Sequence, residues 1–266
     1  PLRALINEPT AAALCNLVLK SVTFPVIGVF DFGGGTFDVS FLRRQADVFA
    51  VLYSTGDNHL GGRDVDRAIA EFSAKTFHLN SVSGDFSIIV QNIKESLSSD
   101  STKTKHLVVI GEKEMKLTLT SEELVAISKK FLNRAIALFK KGLEFLSFPN
   151  IVVVLTGGSS ALPGLVDMLK EVKGVVDVLF DVDVYRVSVA IGAKLYCDLL
   201  SQSGRYVLLD SCTHTLSDET VGFVPKVMFE KGCAIPCARE TQYEIAGSTM
   251  RYGLFEGERN KTWLNE

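Results

Sequence analysis

Long apolar runs are missing from this chain. No stretch is long enough to span a bilayer, so a membrane is not an expected partner. Cysteine is sparse: five are scattered, odd in number and without a CxxC, beside four histidines. That argues against a disulfide framework and a zinc site, and leaves reduced thiols in a cytoplasmic compartment as the default. A basic excess is missing too. The formal net charge is −3, with no basic stretch, so nucleic acid is not an expected partner. No secretory h-region opens the chain. Position 1 is Pro rather than Met, which leaves a fragment, a processed product and a partial gene model all open.

What is present is an ordinary globular balance, 47% apolar and 22% charged over 266 residues. That is room for one large domain or two. The organising stretch is Val26–Leu42, VIGVFDFGGGTFDVSFL. An apolar run to Phe32 reads as a buried strand with Asp31 near its end. Gly33, Gly34 and Gly35 follow, and Thr36 to Leu42 alternates polar and apolar, which is a strand period. Strand, glycine turn, strand lets a bulky anion approach main-chain N–H groups. A carboxylate at Asp31 suits a hydrated divalent cation, and Thr36 adds a hydroxyl. A Walker loop needs a lysine and a helix, and a dinucleotide fingerprint needs a helix; neither fits. A bare glycine hairpin with no ligand is the bland alternative.

Other stretches fit the same chemistry. Leu2 to Ile6 reads as a short strand and Pro9-Thr-Ala-Ala-Ala-Leu14 as a helix start, with Glu8 at the junction. Asp47–Thr55 reads as a third strand. Gly61-Gly62 turns into a helix, Asp64 to Phe77. Phe86 to Leu97 reads as a helix, and Lys105–Gly111 with Lys113–Leu119 as a hairpin. A long helix follows Thr120-Ser-Glu-Glu123, with Leu124, Ile127, Phe131, Ala135, Leu138 and Leu143 as its expected core stripe. In Ile151–Leu165 a β-branched run ends in Thr156-Gly157-Gly158-Ser159-Ser160 before an expected helix, a natural nucleotide position at a sheet edge.

Three of these motifs, INEPTAAAL, FDFGGGTFDVSFL and GDNHLGGRDVD at Gly56–Asp66, resemble the seventy-kilodalton heat-shock (DnaK-type) chaperones in order and spacing. The resemblance extends, fading, over nearly the whole chain. It implies an α/β, actin-like ATPase (ribonuclease H-like) fold. Residues 1–203 would be its second lobe, 204–209 the interdomain linker and 210–266 a partial β-sandwich. It implies ATP or ADP, magnesium, and potassium as a monovalent cation. Glu8 and Asp31 would be catalytic, metal- and water-organising carboxylates, and Asp38 would help hold the monovalent cation. Gly33, Gly34, Gly35 and Thr36 would hold the terminal phosphates, with Gly61 and Gly62 close by.

The adenosine side departs from the family. Its helix normally presents Glu, Lys, Arg and Ser; this sequence offers Gln91, Lys94, Glu95 and Ser98. Lys94 and Ser98 match. Glu95 replaces a cation that packs on the base, and a carboxylate is repelled by a π face. Gly157, Gly158 and Ser159 match the family's GGSTRIP motif, but Ala161 replaces its arginine. Gly192-Ala193 match a later motif, whereas Arg186 replaces an aspartate near the ribose. Losing the stacked cation removes about 0.5–2 kcal/mol. Glu95 and Arg186 are expected to pair and close the pocket from within, and Glu95→Arg is then expected to raise nucleotide affinity.

Gly204–Leu209 resembles the family's short apolar linker, and the segments after it resemble the start of the peptide-binding sandwich. By alignment Val221, Tyr243, Ala246 and Met250 would surround the substrate channel. Pro225 is foreign to that pattern and removes a ladder donor. The sandwich stops after about half its strands by this resemblance, so a complete channel is not expected. By this resemblance the chain starts at the second lobe and does not itself contain the first lobe's hairpin, so this chain alone is expected to lack ATPase activity. Two functions stay open: an ATP-dependent chaperone, or a non-hydrolysing adaptor or nucleotide-exchange partner. For the first, the resemblance implies unfolded polypeptide clients, a J-domain co-chaperone and an exchange factor. A sugar kinase is a distant third, opposed by the C-terminal strands.

Overall fold

The computed structural model describes residues 5–20, 24–45, 48–77, 84–100, 105–110, 114–146, 150–201, 207–212, 214–220, 222–235, 237–243, 247–248 and 252–265. In chain order the elements begin with α1 (Glu8–Lys20), β1 (Val26–Phe32), β2 (Phe37–Gln45), β3 (Val48–Asp57), α2 (Gly62–Phe77) and α3 (Gly84–Ser99). Then come β4 (Lys105–Ile110), β5 (Glu114–Leu119), α4 (Ser121–Leu146), β6 (Ile151–Thr156), a 3-10 turn (Gly158–Ala161), α5 (Leu165–Lys170), β7 (Val175–Leu179) and α6 (Ser188–Ser201). The last are β8 (Val207–Ser211), β9 (Leu216–Thr220), β10 (Val224–Phe229), β11 (Ala234–Ile235), β12 (Leu254–Glu256) and a 3-10 turn (Thr262–Leu264).

Seven strands form one mixed sheet in the order β11-β8-β3-β2-β1-β6-β7. β1, β2 and β3 are an antiparallel meander, and β6 lies parallel to β1. Both faces of the central strand are covered, which is why β1 reads as a continuous apolar run rather than an alternation. Phe30 and Phe32 point to one face, where Phe37, Phe41, Leu60, Ile69, Leu97 and Phe139 complete a core beneath α2, α3 and α4. Ile27 and Val29 point to the other, where Ala12, Ala13, Leu14 and Leu17 of α1 form a second core. The alanines of α1 serve a close helix contact: a Cβ on Gly192 of α6 would overlap the Ala11 carbonyl. This α/β layout, followed by a β region, is the fold class read from the sequence.

Several expectations shift in register. α4 buries Leu124, Ser128, Leu132, Ala135, Ile136, Phe139 and Gly142. Of the expected stripe, Ile127, Phe131, Leu138 and Leu143 are only partly buried. Gly142 faces the Phe41 ring, which leaves no room for a side chain there. The start of α4 is a capping box, with Thr120 N donating to Glu123 Oε2 at 2.8 Å and Glu123 N to Thr120 Oγ1 at 3.2 Å. Leu5 and Ile6 are not in a strand, and the first four residues of the chain lie outside the described ones. After β6 the chain takes a 3-10 turn before the expected helix, α5, which Pro163 and Gly164 delay to Leu165. β9, β10 and β12 form a separate three-stranded sheet with β10 at one edge, where Pro225 is tolerated. Among the described residues no helix is long and apolar enough to cross a membrane.

Candidate functional site

Three loops meet at the end of the sheet. The first is the β1–β2 turn. Gly33 N donates to Thr36 O at 3.0 Å, closing a two-residue loop of Gly34 and Gly35. The second precedes α2, whose first N–H groups bond back to that turn: Gly62 N to Gly33 O at 3.0 Å and Arg63 N to Gly34 O at 2.8 Å. The third follows β6, where Ser159 Oγ donates to Gly33 O at 2.7 Å. Close approach, not positive φ, explains Gly61 and Gly62. A Cβ on Gly61 would sit 2.5 Å from Gly35 N. Gly157 is different: its φ is +83°, and a Cβ there would meet Asp31 Oδ1 at 2.5 Å. Nothing lies within 4 Å of a Cβ position on Gly34 or Gly158. The tied loops are therefore open at Gly34 and Gly158.

Carboxylates line the neighbouring cleft of about 520 Å³, which contains Glu8, Asp31 and Asp38. Asp31 and Asp38 are direct partners across the β1–β2 ladder, so their side chains leave the same face of the sheet. Burial raises Asp31 to about 7, and the charges of Asp38 and Glu8 add to it. Burial also raises Asp38, with Glu8 next, while His214 opposes the shift. Such mutual repulsion is relieved by a cation. Among the described residues no three His, Cys, Asp or Glu side chains converge to hold a metal directly.

A second cavity, about 240 Å³, is lined by Lys94, Glu95, Ser98, Gly158, Ser159, Tyr185 and Arg186. Lys94 is buried, and its Nζ reaches Asp66 Oδ1 at 2.8 Å and Gly62 O at 3.0 Å. Arg186 Nη2 donates to Glu95 Oε2 at 3.0 Å. The expected pairing of Glu95 with Arg186 is present, but it does not close the pocket.

A family model described as Hsp70 protein matches residues 2–266. The chain belongs to the Hsp70 family. It is 43% identical, over its whole length, to the movement protein Hsp70h of Grapevine leafroll-associated virus 3 (isolate United States/NY1), of which it covers 48%. It is 33% identical over 98% of its length to the movement protein Hsp70h of Beet yellows virus (isolate Ukraine), covering 45% of that protein. It is 31% identical over 96% of its length to the chaperone protein HscA homolog of Shewanella denitrificans, covering 43%. The chain therefore spans a little under half the length of the curated relatives it matches. Hsp70 proteins generally bind ATP or ADP with magnesium.

For an Hsp70 chain, the residues picked out by sequence fall into two neighbouring groups. Glu8, Asp31 and Asp38 line the carboxylate cleft. Gly33, Gly34, Gly35, Gly61 and Gly62 form the tied loops, beside Gly157 and Ser159. Thr36 closes the turn through its carbonyl. Ser159 commits its hydroxyl to a loop tie, and Ser98 donates to Lys94 O at 2.8 Å. Of the peptide-channel residues, Val221, Ala246 and Met250 lie outside the described residues. Tyr243 donates its hydroxyl to the buried Asp218 and lies 3.1 Å from the Tyr252 hydroxyl, which pushes its own pKa up. The sequence reading missed Asp66, the partner of Lys94, and Arg63. The latter's guanidinium Nη1 lies 3.8 Å from a Cβ position on Gly35. Its signal was the Arg in GGRDVD, a cation at the start of α2 beside the turn. The scattered cysteines also gather: desolvation, and then the Cys233 and Cys212 thiols nearby, push the Cys237 thiol up to about 11.

Proposed function

We propose that the protein is an ATP-driven, polypeptide-binding member of the Hsp70 family. Residues 1–203 serve as the second ATPase lobe, 204–209 as the linker and 210–266 as the beginning of the peptide-binding sandwich. The observation that carries this reading is the tie among three glycine-rich loops around Asp31. Main-chain N–H groups of Gly34–Thr36 and Gly158–Ser159 donate to the terminal phosphates, Asp31 and Glu8 orient water, and Asp38 assists a potassium ion. Lys94 and Ser98 line the nucleoside-side cavity, with the Lys94 ammonium held by Asp66 and Gly62 and the Ser98 hydroxyl donating to Lys94 O. Magnesium, when bound, neutralises phosphate charge. In this chain the protein's own contribution is preorganised: the loop ties hold N–H donors in place before any ligand arrives.

Control of polypeptide binding follows from sheet continuity. Asp38 pairs with Gly56 across β2 and β3, and Phe49 of β3 pairs with Leu208 of β8. β8 in turn pairs with β11. A shift at the phosphate turn is thereby transmitted through two strands to the linker. Two of the relatives compared above are named movement proteins and a third a chaperone. We read the same duty here: ATP-controlled grip on unfolded polypeptide in the service of movement, in the cytoplasm, with a J-domain co-chaperone and a nucleotide-exchange factor as partners. The test is ATP turnover by the full-length protein with and without unfolded polypeptide. Turnover that polypeptide accelerates is expected; no turnover and no effect of ATP on polypeptide release contradicts the reading. The exposed Glu95–Arg186 pair favours a second reading, a non-hydrolysing adaptor. ATP that alters release with no turnover selects it.

A further inference from the structure

Arg186 occupies a fixed place relative to the phosphate loops. The Tyr185 carbonyl accepts from Gly157 N at 3.0 Å and from Thr156 Oγ1 at 3.2 Å. Residue 185 is therefore bolted to the loop that follows β6. From there the Arg186 guanidinium is braced twice. Its Nε donates to Tyr185 Oη at 2.9 Å, with the guanidinium 5.6 Å from the Tyr185 ring centre. Its Nη2 donates to Glu95 across the cavity mouth. The Tyr185 ring is itself packed on Phe180, 5.0 Å centre to centre. Even so, 51% of the Arg186 side chain stays exposed. A planar cation, held at two points and open beside a cavity, is a stacking platform for a π ring.

The edge of such a ring finds few uncommitted side-chain donors. Ser98 donates to Lys94 O, and Ser99 to Glu95 O or Ser96 O. Ser159 donates to Gly33 O, and Lys94 is engaged by Asp66 and Gly62. Of the two Glu95 carboxylate oxygens, Oε1 accepts from Gln91 Nε2 and Oε2 from Arg186. Strong discrimination between bases needs polar groups that the wrong base leaves unpaired. Stacking needs only a π face, which every base has.

Resting on the nucleotide reading above, we infer that Arg186 stacks on the nucleobase from the Tyr185 side, that Glu95 positions it, and that the site therefore accepts purine nucleoside triphosphates with little regard to the base. Glu95 is then an anchor and not a defect. The sequence-based expectation for Glu95→Arg reverses: the new cation would face Arg186 and unseat it, lowering affinity.

Calorimetry on the full-length protein with magnesium tests this, using ATP, GTP and inorganic tripolyphosphate as probes. The wild type should bind ATP and GTP within about tenfold of each other. Arg186→Ala should lose about tenfold for both nucleotides and nothing for tripolyphosphate. Arg186→Lys, which keeps the charge without the plane, should lose several-fold, and it carries the test if the alanine variant does not fold. Glu95→Arg should weaken both nucleotides. Unchanged nucleotide affinity in the Arg186 variants, equal loss for tripolyphosphate, or a wild-type preference above about a hundredfold for one purine overturns the inference while leaving the phosphate reading intact. A wild type that binds none of the three probes overturns both.

Discussion

Two adjacent residues of α3 form ion pairs of opposite kind. Lys94 turns inward to Asp66, with side chains only 9% and 15% exposed, and also holds the Gly62 carbonyl. Glu95 turns outward to Arg186, with 36% and 51% exposed. The inner pair fixes the loop before α2 against α3, so it belongs to the architecture of the phosphate side. The outer pair crosses the mouth of the base-side cavity in solvent. Removing one partner of a buried pair strands a charge, whereas an exposed pair contributes little net energy. The lesson is that the phosphate side is built into the fold, and the base side is attached to it and free to change chemistry.

The sharpest break of that contrast is Lys94→Ala. It should cost about 3–5 kcal/mol in denaturant unfolding, because Asp66 is left uncompensated. Arg186→Ala should cost under about 1 kcal/mol in the same assay. Equal losses would erase the distinction. Gly61→Ala comes next. Its Cβ meets the Gly34 and Gly35 backbone, which has no flexible end to move aside. About 1–3 kcal/mol of stability should go, and tripolyphosphate binding with it.

pH sharpens the same comparison. Asp31 sits at about 7 in the folded protein, above its ordinary 3.8. A carboxylate raised in this way contributes stability that is full below its unfolded value and is lost as pH rises through about 7. Thermal melts should therefore show the wild type losing more stability between pH 6 and 8 than Asp31→Asn does. Glu95 has the opposite sign: the hydrogen bond from Gln91, then that from Arg186, hold it below the usual range. Its stabilisation is present above the ordinary value and fades as pH falls through the lowered one. Being exposed, it should be the smaller of the two. The smallest effect belongs to Arg63→Ala, where loss of one exposed cation near the turn should weaken tripolyphosphate by roughly fivefold, or about 1 kcal/mol. Calorimetry at low salt should show it most clearly.

The phosphate side was legible because it is local in sequence. Strand, three glycines and strand define their own hairpin, and Asp31 and Asp38 face each other by ladder register alone. The double glycine at Gly61 was legible as a turn, but the reason for it was not. That reason is the backbone of Gly34 and Gly35, which only tertiary packing brings within reach. That a helix follows Thr156–Ser160 was legible, but the 3-10 turn before it was not, because a glycine pair and serines do not mark where the helix begins. The α4 stripe slipped because Ser128 and Gly142 do not look apolar, yet one is buried and the other admits the Phe41 ring. On the base side the charges of Glu95 and Arg186 suggested a pair, and the pair exists. Tyr185, which braces it, is invisible without the loop's path.

Hydrogen exchange of the full-length protein, with and without magnesium ATP, tests the central claim most directly. The account predicts new protection at the amides of Gly34–Thr36 and Gly158–Ser159, larger than any change along α3. Saturating ATP that leaves those amides unchanged would contradict it.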